Sequence, residues 1–204
     1  MAISAAYQID QIYSERINGL QVQTGDLFCT TDGDTSLLPG QFWRLIGKLI
    51  PGAVDHIAIY AGPSGRCVEA GGAGHVISFI VPSGCWEAAS MFDRRNMVDE
   101  LYGIAYPLYG RGFSKDEERE IRLSVARYCL EQAREEKPYN LNFLDSSTED
   151  AFYCSQLAYL AYLRHGIDLN SGVGVPHIPF SESVVFPQEV WSSCQKHVLK
   201  EETC

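Results

Sequence analysis

Apolar and polar positions change their period several times along the chain, and each change marks an element. The lead before Thr24 is short and reads as helical, and Thr24-Gly25-Asp26 then turns the chain into Leu27-Phe28-Cys29-Thr30-Thr31, a first strand. From Gln41 to Ile50, Phe42, Leu45, Ile46, Leu49 and Ile50 fall at helical spacing, and Pro51-Gly52 ends that run. Asp55 to Gly62 is an apolar run of strand length. Gly62-Pro63-Ser64-Gly65 turns it back into Arg66-Cys67-Val68-Glu69-Ala70, so a hairpin is expected. With a symmetric loop, Ala61 opposes Arg66 and Ala58 opposes Glu69. His56, Ala58 and Glu69 then share one face, with His56 and Glu69 as diagonal neighbours, whereas a one-residue bulge would move Glu69 to the other face.

A further strand is expected over His75 to Val81. Residues Pro82 to Phe113 mix aromatics (Trp86, Phe92, Tyr102, Tyr106, Tyr109) with charges, which reads as short helices and loops. Ser114-Lys115-Asp116-Glu117 is a capping box opening a helix through Ile121, Val125, Cys129 and Ala133, stopped by Pro138-Tyr139. Phe152-Tyr153-Cys154-Ser155-Gln156-Leu157 leads into a second apolar helix. Ser146 to Asp150 offer caps upstream of it, and Gly166 supplies a left-handed stop. After Gly166 the prolines at 176, 179 and 187 break the tail, leaving a last helical turn from Phe186 to Trp191.

Composition narrows the picture. With 204 residues, 46% of them hydrophobic, and no polar linker, the chain suits one domain, 1–204. A net charge of −10 disfavours nucleic acid as a partner, because Lys and Arg supply most of the attraction to phosphate backbones. The seven cysteines are scattered and form no C-x-x-C pair, so neither a zinc site nor another metal site is expected, and reduced thiols are the simpler reading. Asp32-Gly33-Asp34 lacks the remaining ligands of a calcium loop, and the Gly71 to Gly74 run lacks the Gly-Lys-Ser/Thr and the following helix of a phosphate loop. Met1 to Leu20 has no continuous apolar run. The expectation is a cytoplasmic protein without signal peptide or membrane span, requiring no cofactor.

The candidate chemistry lies in three residues. At the start of a helix, unpaired backbone N–H groups and the positive dipole end favour the thiolate of Cys154, the nucleophilic form of cysteine. A thiolate nucleophile needs a base that holds it ionised and protonates the leaving group, and that base needs a third group to fix its tautomer. Of the five histidines, His56 has such a group beside it in Glu69; His75, His165, His177 and His197 sit at strand starts, helix ends or in the tail. The backbone N–H of Cys154 is a candidate oxyanion donor.

The segments Gly25-Asp26-Leu27-Phe28, Asp55 to Gly62, Val68-Glu69-Ala70, Lys137-Pro138-Tyr139-Asn140 and Phe152 to Leu157 together resemble the circularly permuted NlpC-type cysteine hydrolases, the YiiX/YebB-like group of papain-fold enzymes. They occur in that family's order, with the histidine strand before the cysteine helix. The resemblance spans roughly Gly25 to Asp168 and touches Pro187 to Trp191. It implies Cys154 as nucleophile, His56 as general base and acid, Glu69 as the residue orienting the imidazole, and Tyr139 as a group near the nucleophile that helps bind oxyanion or substrate. Two departures stand out: the secretory or lipoprotein leader of many members is missing, and Pro82 to Phe113 fits no family pattern.

The resemblance implies an α+β, papain-like fold, a small antiparallel sheet packed against the helix that bears the cysteine. It implies a thiol hydrolase cleaving an amide, peptide or N-acyl amide, or an ester, through a thioester acyl-enzyme. Substrates would be small peptides, acyl amides or lipid-like molecules. Two alternatives stay open: a lipid acyltransferase or phospholipase of the lecithin:retinol acyltransferase-like branch, against which Glu69 speaks because that branch has histidine as its third member, and a non-catalytic binding module on the same fold.

Overall fold

Two neighbouring strands organise the molecule because their side chains alternate between two covered faces. In the computed structural model, which describes residues 9–32, 52–177, 179 and 181–199, these are β3 (Leu27–Asp32) and β4 (His56–Tyr60). Around them stand β5 (Arg66–Ala70), β6 (Val76–Ile80), β7 (Asp99–Tyr106) and β8 (Gln195–Val198), forming a six-stranded sheet in the order β6-β5-β4-β3-β7-β8 with every pair antiparallel. A separate two-stranded sheet pairs β1 (Ser14–Ile17) with β2 (Leu20–Gln23). The described helices are α1 (Ala88–Arg95), α2 (Lys115–Arg134), α3 (Cys154–Leu163) and α4 (Pro187–Ser192).

The two sheet faces feed two cores. Leu27, Cys29, Ile57, Ile59, Val68 and Ala70 pack with Val125, Cys129, Leu157 and Ala161 of α2 and α3. Phe28, Ala58, Tyr60, Cys67 and Ile104 pack the other way, against Ile17 and Val22 of the small hairpin and against Trp86 and Met91. Phe28 stacks on Trp86 with ring centroids 5.2 Å apart. α2 is held to the β2–β3 turn by Arg122, whose Nη1 donates to Asp26 Oδ1 at 2.7 Å and to the Thr24 carbonyl at 2.8 Å. α3 is held by Tyr162, whose hydroxyl donates to the Gly25 carbonyl at 2.6 Å.

The α+β class agrees with the sequence reading, as do the hairpin, the strand after it and the capping box, in which Ser114 and Glu117 each bond the other's backbone N–H. Several expectations fail. The described part of the lead holds a hairpin, Ser14 to Gln23, where a helix was expected: Asn18 and Gly19 both take positive φ, 47° and 73°, in the two-residue turn between β1 and β2. Within Pro82 to Phe113 the eight-residue β7 is a central strand, its polar end Asp99-Glu100 masking an otherwise apolar run. The tail supplies β8, whose exposed residues carry no apolar signal and which is fixed by backbone pairing to β7. None of the capping candidates from Ser146 to Asp150 caps α3; the Gln156 side chain reaches back instead, its Oε1 accepting from Tyr153 N at 3.2 Å. Cys85 is disulfide-bonded, so the reduced-thiol expectation fails there, since spacing in sequence cannot show which cysteines meet in space. The helix expected over Gln41 to Ile50 lies outside the described residues, as does Cys204. Among the described residues no helix is long and apolar enough to cross a membrane.

Candidate active site

β4 and β5 pair with Ile59 opposite Val68 and Tyr60 opposite Cys67, and the Ala61 N–H bonds the Arg66 carbonyl. Continued along the hairpin, this register sets Ala58 opposite Glu69, the symmetric-loop alignment. His56 and Glu69 therefore share a face. The His56 Nε2 lies 3.0 Å from Glu69 Oε2, and both side chains are buried. Gly71 lets the chain pass close by, for a Cβ there would stand 3.2 Å from His56 Cε1.

Cys154 arrives from the other side. It is the first residue of α3 and belongs to the core under the opposite sheet face. Its thiol nevertheless lies close enough to act on the His56 imidazole, whose pKa it raises, so the two come together where β4 begins. At the N1 position of α3 the Cys154 N–H has no intrahelical acceptor and is aimed, with the first turn's other N–H groups, at whatever occupies the helix entrance.

The electrostatics follow from these contacts. Burial alone would push the imidazole pKa down. Cys154 first, then the hydrogen bond and charge of Glu69, reverse this and bring it from 6.5 up to about 10. Burial likewise pushes the Glu69 carboxyl up, but the Arg95 guanidinium first, then His56, hold it below the usual carboxylate range. The site thus favours a protonated imidazole facing the Glu69 carboxylate.

Tyr139 is placed by backbone pairing: its N–H donates to the Gly74 carbonyl at 2.9 Å, and it bridges to Phe152, two residues before Cys154. Burial and the nearby Cys154 charge push its phenol pKa up, so the hydroxyl keeps its proton and remains a donor. Its ring meets Phe143, which meets Tyr153. Asn140 ties the two motif segments together, its Nδ2 donating to Gln156 Oε1 at 3.0 Å, while Gln156 Nε2 donates to the Thr148 carbonyl at 2.9 Å. Behind α3, Ser155 Oγ donates to the Val185 carbonyl at 2.7 Å and Val185 N donates to Tyr153 Oη at 3.0 Å.

Two other histidines have side-chain partners of their own. His75 Nδ1 contacts the Ala73 carbonyl and His165 Nε2 contacts Ser124 Oγ, while His197 lies on β8. Sequence reasoning missed Arg95 and Asp99. Arg95, fully buried, forks onto Glu69 and onto Asp99, and no motif marks either residue. The detectable signal was a basic residue ending a short helix with an acid four positions on, inside the stretch that resisted assignment. Among the described residues no group of three or more His, Cys, Asp or Glu side chains is arranged to hold a metal ion. The chain matches no protein-family model, no curated protein and no solved structure.

Proposed function

We propose that the chain is a thiol hydrolase acting on an amide or ester bond, with Cys154 as nucleophile, His56 as general base and acid, and Glu69 orienting the imidazole. One observation carries the reading: a buried imidazole is bonded to Glu69 through Nε2 and lies within the electrostatic reach of a cysteine at the first position of a helix. The motif resemblance to the permuted NlpC-type, papain-fold hydrolases supports the same roles.

In this reading the Cys154 thiolate adds to the substrate carbonyl carbon, and the resulting oxyanion is held by the Cys154 N–H and the Tyr139 hydroxyl. Collapse breaks the carbonyl–leaving-group bond, and the His56 imidazolium delivers its proton to the departing amine or alcohol. Neutral His56 then takes a proton from water, the hydroxide adds to the thioester carbon, and the acid leaves as the Cys154 thiolate re-forms. Glu69, ionised throughout, keeps the imidazole's Nε2 proton facing itself and the other nitrogen facing sulfur.

The lipid acyltransferase alternative has one observation in its favour. Leu141, directly after Asn140, and Leu144 are 80% and 61% exposed and offer apolar surface on the segment that carries Tyr139. Wild type and Cys154→Ala should be assayed on dipeptide, N-acyl amide and fatty ester panels, with acid quenching and mass analysis of the Cys154 peptide. Hydrolysis lost in Cys154→Ala, with an acyl adduct on Cys154, is expected. Transfer to an added alcohol or amine in preference to water would favour the alternative. A wild type that neither turns over nor acylates in any panel would favour a binding module.

A further inference from the structure

We propose that Arg95 is a positioning residue for this site, fixing the Glu69 carboxylate against His56 and keeping it charged, with Asp99 fixing Arg95 in turn. The inference rests on the proposed triad.

Arg95 Nε donates to Glu69 Oε1 and Oε2 at 3.0 and 3.1 Å, and Nη2 donates to Oε2 at 2.8 Å. Its remaining edge is taken by Asp99, with Nη1 at 2.6 Å from Oδ1 and Nη2 at 2.9 Å from Oδ2. The guanidinium sits in the corner made by Phe79 and Trp86, whose ring centroids lie 4.8 and 4.6 Å from its carbon and whose planes meet at 81°. Planarity and a two-sided fork are properties of arginine and not of lysine. Glu69 Oε2, the atom that meets His56, is thus located by donors from two directions.

A purely structural reading explains this poorly. Burying an ion pair costs several kcal/mol of desolvation per ion, and well-packed apolar groups often stabilise as much or more. Here the buried charges form one line from the sheet's interior to the imidazole, so what they add is a fixed, ionised Glu69. The titratable groups around His56 and Glu69 are Cys154 and Tyr153 from α3, Tyr139, Cys67 on β5, Asp99 on β7 and Arg95 from α1. Among them Arg95 opposes the burial of Glu69 most strongly, ahead of His56. Without it, burial meets less opposition and the Glu69 pKa rises, which weakens the anion that faces the imidazole.

The test follows the rate of Cys154 alkylation by iodoacetamide against pH in wild type, Arg95→Gln and Arg95→Lys, each checked for a folded circular dichroism spectrum. Arg95→Gln is expected to slow labelling near pH 6 on the order of tenfold and move the profile's midpoint up by about one pH unit. Arg95→Lys, which keeps the charge but not the fork, should fall between. A folded Arg95→Gln with the wild-type profile overturns the proposal and leaves the triad standing. A wild-type Cys154 that labels no faster than the buried thiols overturns the triad itself. Carboxyl ¹³C NMR of wild type decides independently of any variant's folding: Glu69 should titrate below the ordinary glutamate value of about 4.3, and a midpoint at or above it refutes the proposal.

Discussion

His56 and Glu69 face each other across one hairpin, Nε2 to Oε2 at 3.0 Å, with Glu69 wholly buried and its second set of bonds going to Arg95. A carboxylate so held acts on the imidazole by charge as well as by direction. Glu69→Gln keeps the shape and removes the charge. The expected outcome is a folded protein, because Arg95 retains Asp99, with turnover reduced on the order of 10²–10⁴-fold. Steady-state kinetics on whichever substrate panel gives activity measures this, and wild-type turnover would make Glu69 structural.

The imidazole's titration is the second expectation. A folded-state pKa raised from 6.5 to about 10 means that the bound proton stabilises the fold fully below about 6.5, and that this contribution is lost as the pH rises through about 10. Cys154 acts on it more strongly than Glu69 does. In ¹⁵N NMR of the His56 ring the midpoint should therefore fall in Cys154→Ala and fall less in Glu69→Gln. The alkaline loss of thermal stability, which starts near pH 6.5 in both, should end at lower pH and be smaller in Cys154→Ala. A His56 midpoint unmoved by Cys154→Ala would show that thiol and imidazole do not share charge.

Gly72 tests how the second core supports the site. A Cβ there would stand 2.4 Å from the Asn96 carbonyl oxygen and 2.9 Å from that of Arg95, so the loop after β5 can approach the end of α1 only as glycine. Asn96 Nδ2 also donates to the Gly72 carbonyl. Gly72→Ala should push the Arg95 end of α1 away from Glu69, lowering stability by about 1–3 kcal/mol, as overpacking does, and slowing Cys154 alkylation with it. Denaturant unfolding and labelling rates measured together check this; a stable variant with wild-type labelling would contradict it.

Much of this geometry was legible in the chain. Register in a hairpin follows from loop length and period-two burial, and the Gly62 to Gly65 turn with the apolar runs beside it was enough to pair Ala58 with Glu69. Helix entry at Cys154 followed from the apolar spacing of Leu157, Leu160 and Ala161. The Asn18-Gly19 turn was equally legible, since Ile17, Leu20 and Val22 alternate around it, and the helical reading overlooked that signal. Other features were not local. Arg95 and Asp99 look like surface charges until Glu69, 26 residues from Arg95, arrives beside them. β8 exists because β7 offers it an edge, and the disulfide at Cys85 depends on a partner that only the fold brings close.

If His56 holds Cys154 as a reactive thiolate, the rate of Cys154 alkylation must depend on pH and on the imidazole. Cys29, Cys67, Cys129 and Cys194 are buried free thiols whose pKa values burial pushes up, and Cys85 is disulfide-bonded. An ordinary thiol, with a pKa of about 8.5, is ionised to less than about 1% near pH 6. Brief iodoacetamide treatment of the folded protein near pH 6, read by peptide mass spectrometry, should label Cys154 ahead of those four thiols, and His56→Ala should slow that labelling at least about tenfold. Cys154 labelling no faster than Cys194, or at an unchanged rate in His56→Ala, would contradict the account.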